Sequence, residues 1–479
     1  MKQFVLSCAS ILIIVAMVTA KEPELPPNPV VPTATQVNYQ RMEIIGFIHY
    51  TVNTFTDREW GTGEEDPSIF NPSRQDVEQW VKAAKSGGMK QLILTTKHHD
   101  GFCLWPSKYT EHDVANSPYK NGEGDVVGEL SKACRKAGLK FGTYLSPWDR
   151  HEPSYGTDAY NQYYLNQLRE LMTNYGEISE VWMDGAKGKD AKDMEYDFAA
   201  WRKLIYKLQP RALIFSDAGP DIRWIGNEHG IAGKTNWSML DTDKVRIGHA
   251  DRDYLNHGDP NGDEWLVGEC DVSIRPGWFY HPDEDDDVKS PQQLVDLYYK
   301  SVGRNGTFLL NIPPDRRGLI HENDVASLRE FKSILDETFA TNLASGAVVT
   351  ASNTRMDHAK FAAEHLVDDD LDSFWAADDD VMPCQLTVDL GERKTFDRIM
   401  LQEPIRKGQR ISKFVVHAKI EGEWQTIGEG TTIGYKRLLR IPQVKSQFVR
   451  VTITETNNAP ALSNFGLFKA SVREDYSAE

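Results

Sequence analysis

The sequence predicts a (β/α)8-like barrel followed by an all-β sandwich of jelly-roll type, and three observations carry that prediction. Strand-like runs that are apolar on both faces alternate with helical patterns over most of the chain, as in a parallel sheet covered by helices. The first strand is not followed by a Gly-rich dinucleotide fingerprint, which disfavours an open doubly wound sheet. Near residue 340 the helical periodicity stops, and short β-type runs broken by turn residues take over.

The N-terminus, MKQFVLSCASILIIVAMVTAKEP, has an early lysine, an apolar run from Phe4 to Val18 and small residues near Ala20. This is the layout of a secretory signal peptide over residues 1–20, so an exported protein, periplasmic or extracellular, is expected. Cys8 bears a faint likeness to a lipoprotein signal, but most of the apolar run follows it, which favours a soluble product with no membrane span after signal removal. Residues 21–35, KEPELPPNPVVPTAT, are proline-rich and read as an extended tether.

The barrel is assigned to residues 36–340. Its strands are GFIHY (46–50), QLILTT (91–96), KFGTYLS (140–146), EVWMD (180–184), ALIFSD (212–217) and FLLNI (308–312). Between them lie SRQDVEQWVKAAKSGG, DVVGELSKACRKAG, DAYNQYYLNQLRELMTNYG and DFAAWRKLIYKLQP, with SPQQLVDLYYKSVGRNG later. Several start near Ser or Asp and end near Gly or Pro, as helix caps require. The sandwich takes residues 341–479, with QLTVDLG, FDRIMLQE, SKFVVHAKI, EWQTIGEG, KRLLRIP and QFVRVTITET as its strands.

Charge and cysteines narrow the function. With 54 basic against 71 acidic residues the net charge is −17, which repels phosphate backbones and excludes nucleic acid as a natural partner. The cysteines beyond the signal, Cys103, Cys134, Cys270 and Cys384, lack paired spacing and read as buried free thiols. The acidic run in LVDDDLDSFW (366–375) could hold a structural calcium ion in the second domain, although it lacks the full EF-hand pattern.

A barrel displays chemistry at the C-terminal ends of its strands, and that rule selects His49, His98, His99, Tyr144, Trp148 and Asp184. Asp184 closes an apolar and aromatic run, where a carboxylate is costly unless used or paired. Such a group can attack a sugar's anomeric carbon if a second carboxyl protonates the leaving oxygen. Glu228 in RWIGNEHG and Glu269 in WLVGECDVSIRPGW are the candidates, both placed in aromatic, Gly-containing loops. Tryptophans 60, 105, 148, 182, 224, 237 and 278 fall near these sites, as suits a ligand that offers C–H faces and hydroxyls together. Adjacent histidines on a strand point to opposite faces, so His98 and His99 serve one ligand only if the strand has ended, as Asp100-Gly101 suggests. Further His or carboxylate ligands at recognisable spacing are wanting, so sugar hydroxyls suit them better than a metal.

Five blocks in order, GFIHYTVNTFTDREW, TTKHHDGFCLWPS, VWMDGA, RWIGNEHG and NGTFLLNIPPDRRGLI, resemble the signatures of glycoside hydrolase family 29, the α-L-fucosidases. The resemblance implies a cofactor-free, retaining hydrolase that removes terminal α-L-fucose from oligosaccharides or glycoconjugates, with Asp184 as nucleophile. It maps the fucose pocket to His49, Glu59, Trp60, His98, His99 and Tyr144, with Trp278 beside them. RWIGNEHG is similar to the block of the subgroup selective for α-1,3 and α-1,4 linkages in Lewis-type glycans, which favours Glu228 over Glu269 as acid/base. The tail, through ASGAVVTAS, HLVDDDLDSFWAA, LTVDLG and FVRVTI, resembles the discoidin, or coagulation factor type C, sandwich, with a buttressing role expected. The alternatives are a sugar-binding protein that has lost catalysis, and a barrel glycosidase for another sugar such as an α-galactoside.

Overall fold

The computed structural model describes residues 23–474 apart from residue 250, so the expected signal peptide and Cys8 lie outside the described residues. Eight parallel strands close into a barrel: β1 Ile44–Ile48, β2 Gln91–Lys97, β3 Lys140–Leu145, β4 Glu180–Trp182, β5 Leu213–Ser216, β6 Ile222–Trp224, β7 Val267–Ser273 and β8 Thr307–Asn311. Each pairs with its neighbours in chain order, and β8 returns to β1 over Ile44↔Phe308 to Phe47↔Asn311. This is the TIM-type barrel that the alternation predicts.

The local chemistry explains the elements. Asp76 caps the helix Val77–Ser86 by accepting from the amide of Gln79 at 3.0 Å, and Trp80, Val81, Ala83 and Ala84 form its buried face. Asp125 caps Val126–Ala137, which stops at Gly138 with φ of 75°, and Ser290 with Gln293 makes a capping box on Pro291–Lys300. Inside the barrel Ile45, Phe47, Ile93, Trp182 and Leu309 pack against one another, while the helices cover the outside.

Two strands differ from the sequence expectation. β6 is only three residues long, with no helix before it, and β7 carries Glu269 and Asp271 along its length, so neither reads as an apolar run. The long connection between them is held by Arg223, which is fully buried. Its guanidinium donates to the carbonyls of Leu255, Leu266 and Trp237 and to Asn236 Oδ1, which satisfies a charge otherwise costly to bury.

The second domain is antiparallel, with its own core around Trp375, Leu386, Phe414, Val451 and Phe465. QLTVDLG and FDRIMLQE, expected as separate strands, are halves of one strand, Cys384–Gln402. It pairs with Arg437–Thr456, and the register breaks between Asp389 and Lys394 and between Phe396 and Arg398 bend both without ending them. Cys103, Cys134, Cys270 and Cys384 are all buried free thiols. In the acidic run, Asp372 pairs with Arg41 and Arg406, and Asp368 pairs with His365. Among the described residues no group of three or more His, Cys, Asp or Glu side chains is placed to hold a metal, and no helix is long and apolar enough to cross a membrane.

Polar contacts join the domains. The Glu43 carboxylate accepts from Tyr298 and Tyr435 hydroxyls at 2.6 Å each and pairs with Lys436, while Arg440 reaches Asp296 at 2.6 Å and Glu474 at 3.1 Å. The proline-rich stretch, expected as a tether, is bound along its described part. Leu25 is 1% exposed against Phe361, Ala376, Ala459 and Ala461, and Arg410 donates to the carbonyl of Pro26 at 2.5 Å. Arg355 reaches the Glu24 carbonyl, and the Asn28 amide donates to Lys407. Leu25→Ala is expected to cost about 2–5 kcal/mol, read as a lower melting temperature.

Candidate active site

A cleft of about 760 Å³ opens at the C-terminal ends of the barrel strands. His49 follows β1, His98 and His99 follow β2, Tyr144 lies on β3, and Asp184 stands two residues beyond β4. All five line the cleft, as do Glu59, Trp60, Trp278 and Glu228. Of the other tryptophans, Trp182 and Trp224 also line it, and Trp148 packs behind Trp60 and His99. Trp105 and Trp237 are core residues instead.

The strand does end before the paired histidines. β2 stops at Lys97, and the amide of Gly101 turns back to the carbonyl of His98 at 3.0 Å. The two rings therefore face the same space, with centroids 4.1 Å apart, and the His49 ring lies 5.5 Å from His98. Gly101 is required at φ of 79°, since a Cβ there would lie 2.6 Å from the Cβ of His151. Burial lowers the pKa of His49 and of His99 to about 3, and that of His98 well below its ordinary value, so all three are neutral near pH 7.

Asp184 is partly buried, with 21% of its side chain exposed. Burial raises its pKa, against the amide of Ala186 at 2.8 Å and the Tyr144 hydroxyl at 2.9 Å, both of which donate to its oxygens. The Tyr144 ring stacks on Trp182, whose indole stacks in turn on Phe215 at 3.9 Å. An aromatic floor thus supports a carboxylate aimed into the cleft. Glu228 stands exposed at the rim, and its Oε2 accepts from the Trp278 indole N–H at 3.3 Å.

Glu269 is not in a loop. It sits on β7, fully buried, opposite Trp224 on one side and Thr307 on the other. Trp182 donates to one of its oxygens at 2.8 Å and Tyr39 bonds the other, closing it below the aromatic floor. Burial raises its pKa to about 7. Its neighbour Glu180, also fully buried, is raised further by burial and by Glu269, and accepts from Gln91 at 2.6 Å. Glu269 lines no part of the cleft, whereas Glu228 does.

Glu59 lines the cleft and also braces Trp278. Its carboxylate accepts from the amides of Trp278 and Phe279 at 2.9 and 3.1 Å and meets His281 at 2.7 Å, while Asp57 holds the other ring nitrogen. Partial burial lowers the His281 pKa, but Glu59 and Asp57 outweigh it and raise the imidazolium above its ordinary range. Glu59→Ala is expected to raise KM about tenfold, the equivalent of one charged hydrogen bond; an unchanged KM would mean that Trp278 holds its place without the clamp.

Sequence reasoning missed three carboxylates in the cleft, Glu195, Asp217 and Asp271. Asp217 ends ALIFSD as Asp184 ends EVWMD, a signal present in the sequence but not singled out. It accepts from the Gly248 amide at 2.8 Å, and burial, with Asp184 nearby, raises its pKa to about 6. Asp271, on the missed strand β7, accepts from the Trp224 indole at 2.9 Å and is raised well above its ordinary value by burial and by Glu228.

Comparison with known proteins adds to this geometry. A family model described as Alpha-L-fucosidase matches residues 35–337, and one described as F5/8 type C domain matches residues 348–465. The chain is 50% identical over 462 residues to a protein of Oryza sativa subsp. japonica named putative alpha-L-fucosidase 1, covering 95% of this chain and 89% of that one. Alpha-L-fucosidase 1 of Arabidopsis thaliana is 47% identical over 442 residues, with 91% and 87% covered. The crystal structure of SpGH29 superposes with a TM-score of 0.91 at 45% identity, covering 94% of this chain and all of that one. A Ruminococcus gnavus GH29 fucosidase in complex with fucose superposes at 0.88 and 37% identity, with 95% and 98% covered.

Proposed function

The chain belongs to the GH29 α-L-fucosidase family and is a glycoside hydrolase with a C-terminal F5/8 type C domain, and from that premise we propose that it releases terminal α-1,3- and α-1,4-linked L-fucose from branched, Lewis-type glycans by retaining double displacement. The observation that carries this reading is the content of the cleft: a carboxylate on an aromatic floor beside three neutral imidazoles, with an exposed carboxyl at the rim.

In the first step Asp184 attacks the anomeric carbon of fucose while Glu228 protonates the departing glycosidic oxygen. In the second Glu228 takes a proton from water, which displaces Asp184 and frees fucose with its configuration retained. Tyr144 holds the Asp184 carboxylate in place, and His49, His98 and His99 bind the sugar hydroxyls. Beyond this end the cleft continues past Lys187, Glu195, His249 and Arg252, and these polar side chains offer room and hydrogen bonds for the sugars of a branch. The apolar N-terminal run supports export, which would bring the enzyme to extracellular or periplasmic glycans.

The test is incubation with a Lewis-type trisaccharide and with an aryl fucoside, following free fucose and its anomeric form by proton NMR. Fucose released from the trisaccharide first as the α anomer, with little from the aryl fucoside, is the expected result. Release of the β anomer would overturn retention, equal release from both substrates would overturn the linkage preference, and binding without release would support a sugar-binding protein.

A further inference from the structure

Neutral imidazole carries one N–H and one lone pair, and the partner of one nitrogen decides which of them the other presents. Two of the three cleft histidines have partners that decide it. Ser146 Oγ lies 2.7 Å from His99 Nδ1 and 2.5 Å from the carbonyl oxygen of Trp148. A carbonyl only accepts, so the single hydroxyl proton of Ser146 goes to Trp148, and lone pairs alone remain to face His99. Nδ1 of His99 must then carry the proton.

The second case runs through an amide. Asn311 Nδ2 donates to the Trp278 carbonyl at 2.7 Å and to Ser273 Oγ at 2.9 Å, which fixes which end of the amide is nitrogen. Asn311 Oδ1 accordingly faces His49, accepting its backbone N–H at 3.2 Å and lying 2.9 Å from its Nδ1. That nitrogen must donate as well. Both histidines are buried, and Asn311 and Ser146 lie outside the set of groups that line the cleft.

Resting on the reading of this cleft as a fucose site, we propose that Ser146 and Asn311 are positioning residues that lock His99 and His49 as Nδ1–H tautomers, so that each presents a bare Nε2 that accepts a hydrogen bond from a sugar hydroxyl. One distance is explained at once. His99 Nε2 lies 3.7 Å from Asp184 Oδ2, too far for a hydrogen bond, because two acceptors face each other there. The wall selects ligands that offer hydroxyl protons, and it leaves the Asp184 carboxylate free of an imidazole N–H that would blunt it as a nucleophile.

The charged and titratable groups around each ring are few. His98, His99 and Tyr144 face His49. His99 faces Asp184, His98, Arg150, Asp149 and Lys97. The last two form a buried ion pair at 2.7 Å. Burial keeps both imidazoles neutral in spite of them, so the tautomer and not the charge is what Ser146 and Asn311 set.

The test is long-range proton–nitrogen correlation NMR on the ligand-free full-length chain labelled with ¹⁵N-histidine, with the two signals assigned from His49→Gln and His99→Gln. Both residues are expected to show protonated Nδ1 and bare Nε2 throughout about pH 5–8. An Nε2–H tautomer or an imidazolium at either residue would overturn the proposal while leaving fucose release, measured on the same sample, to stand or fall separately. Asn311→Asp gives His49 a carboxylate partner that favours imidazolium, so the midpoint of the His49 titration followed by the same NMR experiment should move up by about one pH unit or more; an unmoved midpoint would count against it. Ser146→Ala is expected to lower kcat/KM about tenfold and Ser146→Thr, which keeps a hydroxyl, to restore it. Equal activity in the two variants would also overturn it.

Discussion

Asp184→Ala is expected to lower kcat by roughly 10⁴-fold or more, the scale seen when a covalent nucleophile is removed, and to leave the fold intact. The second half of that expectation has its own physical basis. Burial raises the Asp184 pKa, so the folded protein holds the ionised carboxylate at a cost, and removing it relieves that cost. The Tyr144 hydroxyl and the Ala186 amide lose their acceptor, but the cleft is open to water that can replace it. The variant should melt within a few degrees of the wild type. Near-normal turnover would remove Asp184 from the mechanism, and loss of activity together with loss of fold would show a structural role instead.

Glu228→Ala is expected to lower kcat on natural glycans by roughly 10²–10⁴-fold, the usual worth of a general acid/base, and far less on a substrate with a good leaving group. Azide should restore turnover and appear in the product as glycosyl azide, because a small anion can enter the space left by the carboxyl and needs no base. Glu269→Gln serves as the contrast. Its side chain is sealed between Trp182, Tyr39 and Glu180, so azide has no route to it and its effect should be on stability. Azide rescue at Glu269 with none at Glu228 would reverse the assignment.

Much of this arrangement is legible in the chain, and the remainder is hidden for identifiable reasons. β1 to β5 and β8 are apolar runs with helices or turns around them, so their ends, and with them His49, His98, His99, Tyr144 and Asp184, can be read directly. β6 and β7 carry Arg223, Glu269 and Asp271, whose polar side chains are satisfied by partners far away in sequence. Hydropathy sees only the polarity. The choice between Glu228 and Glu269 fails locally for the same reason: both stand among glycines and aromatics, and only the bonds of Glu269 to Trp182 and Tyr39 show that it points inward. The roles of Ser146 and Asn311 depend on which atom of each donates, and that is a property of the assembled site alone.

The bound segment at residues 24–28 gives the molecule an order of assembly. Arg410 and Pro26, which meet in one hydrogen bond, are 384 residues apart, so residues 24–28 wait for nearly the whole chain to be made before they find their place. Until the last strands fold, Leu25 has no apolar surroundings, and a chain cut short before the sandwich keeps it exposed. The C-terminal domain therefore works as the closing piece of a ring whose other end is the segment at residues 24–28. Removing it would strip the barrel of its partner at Glu43 and of the fastening of its own leading segment together, and a bulky fusion placed directly before residue 24 would press on that same joint.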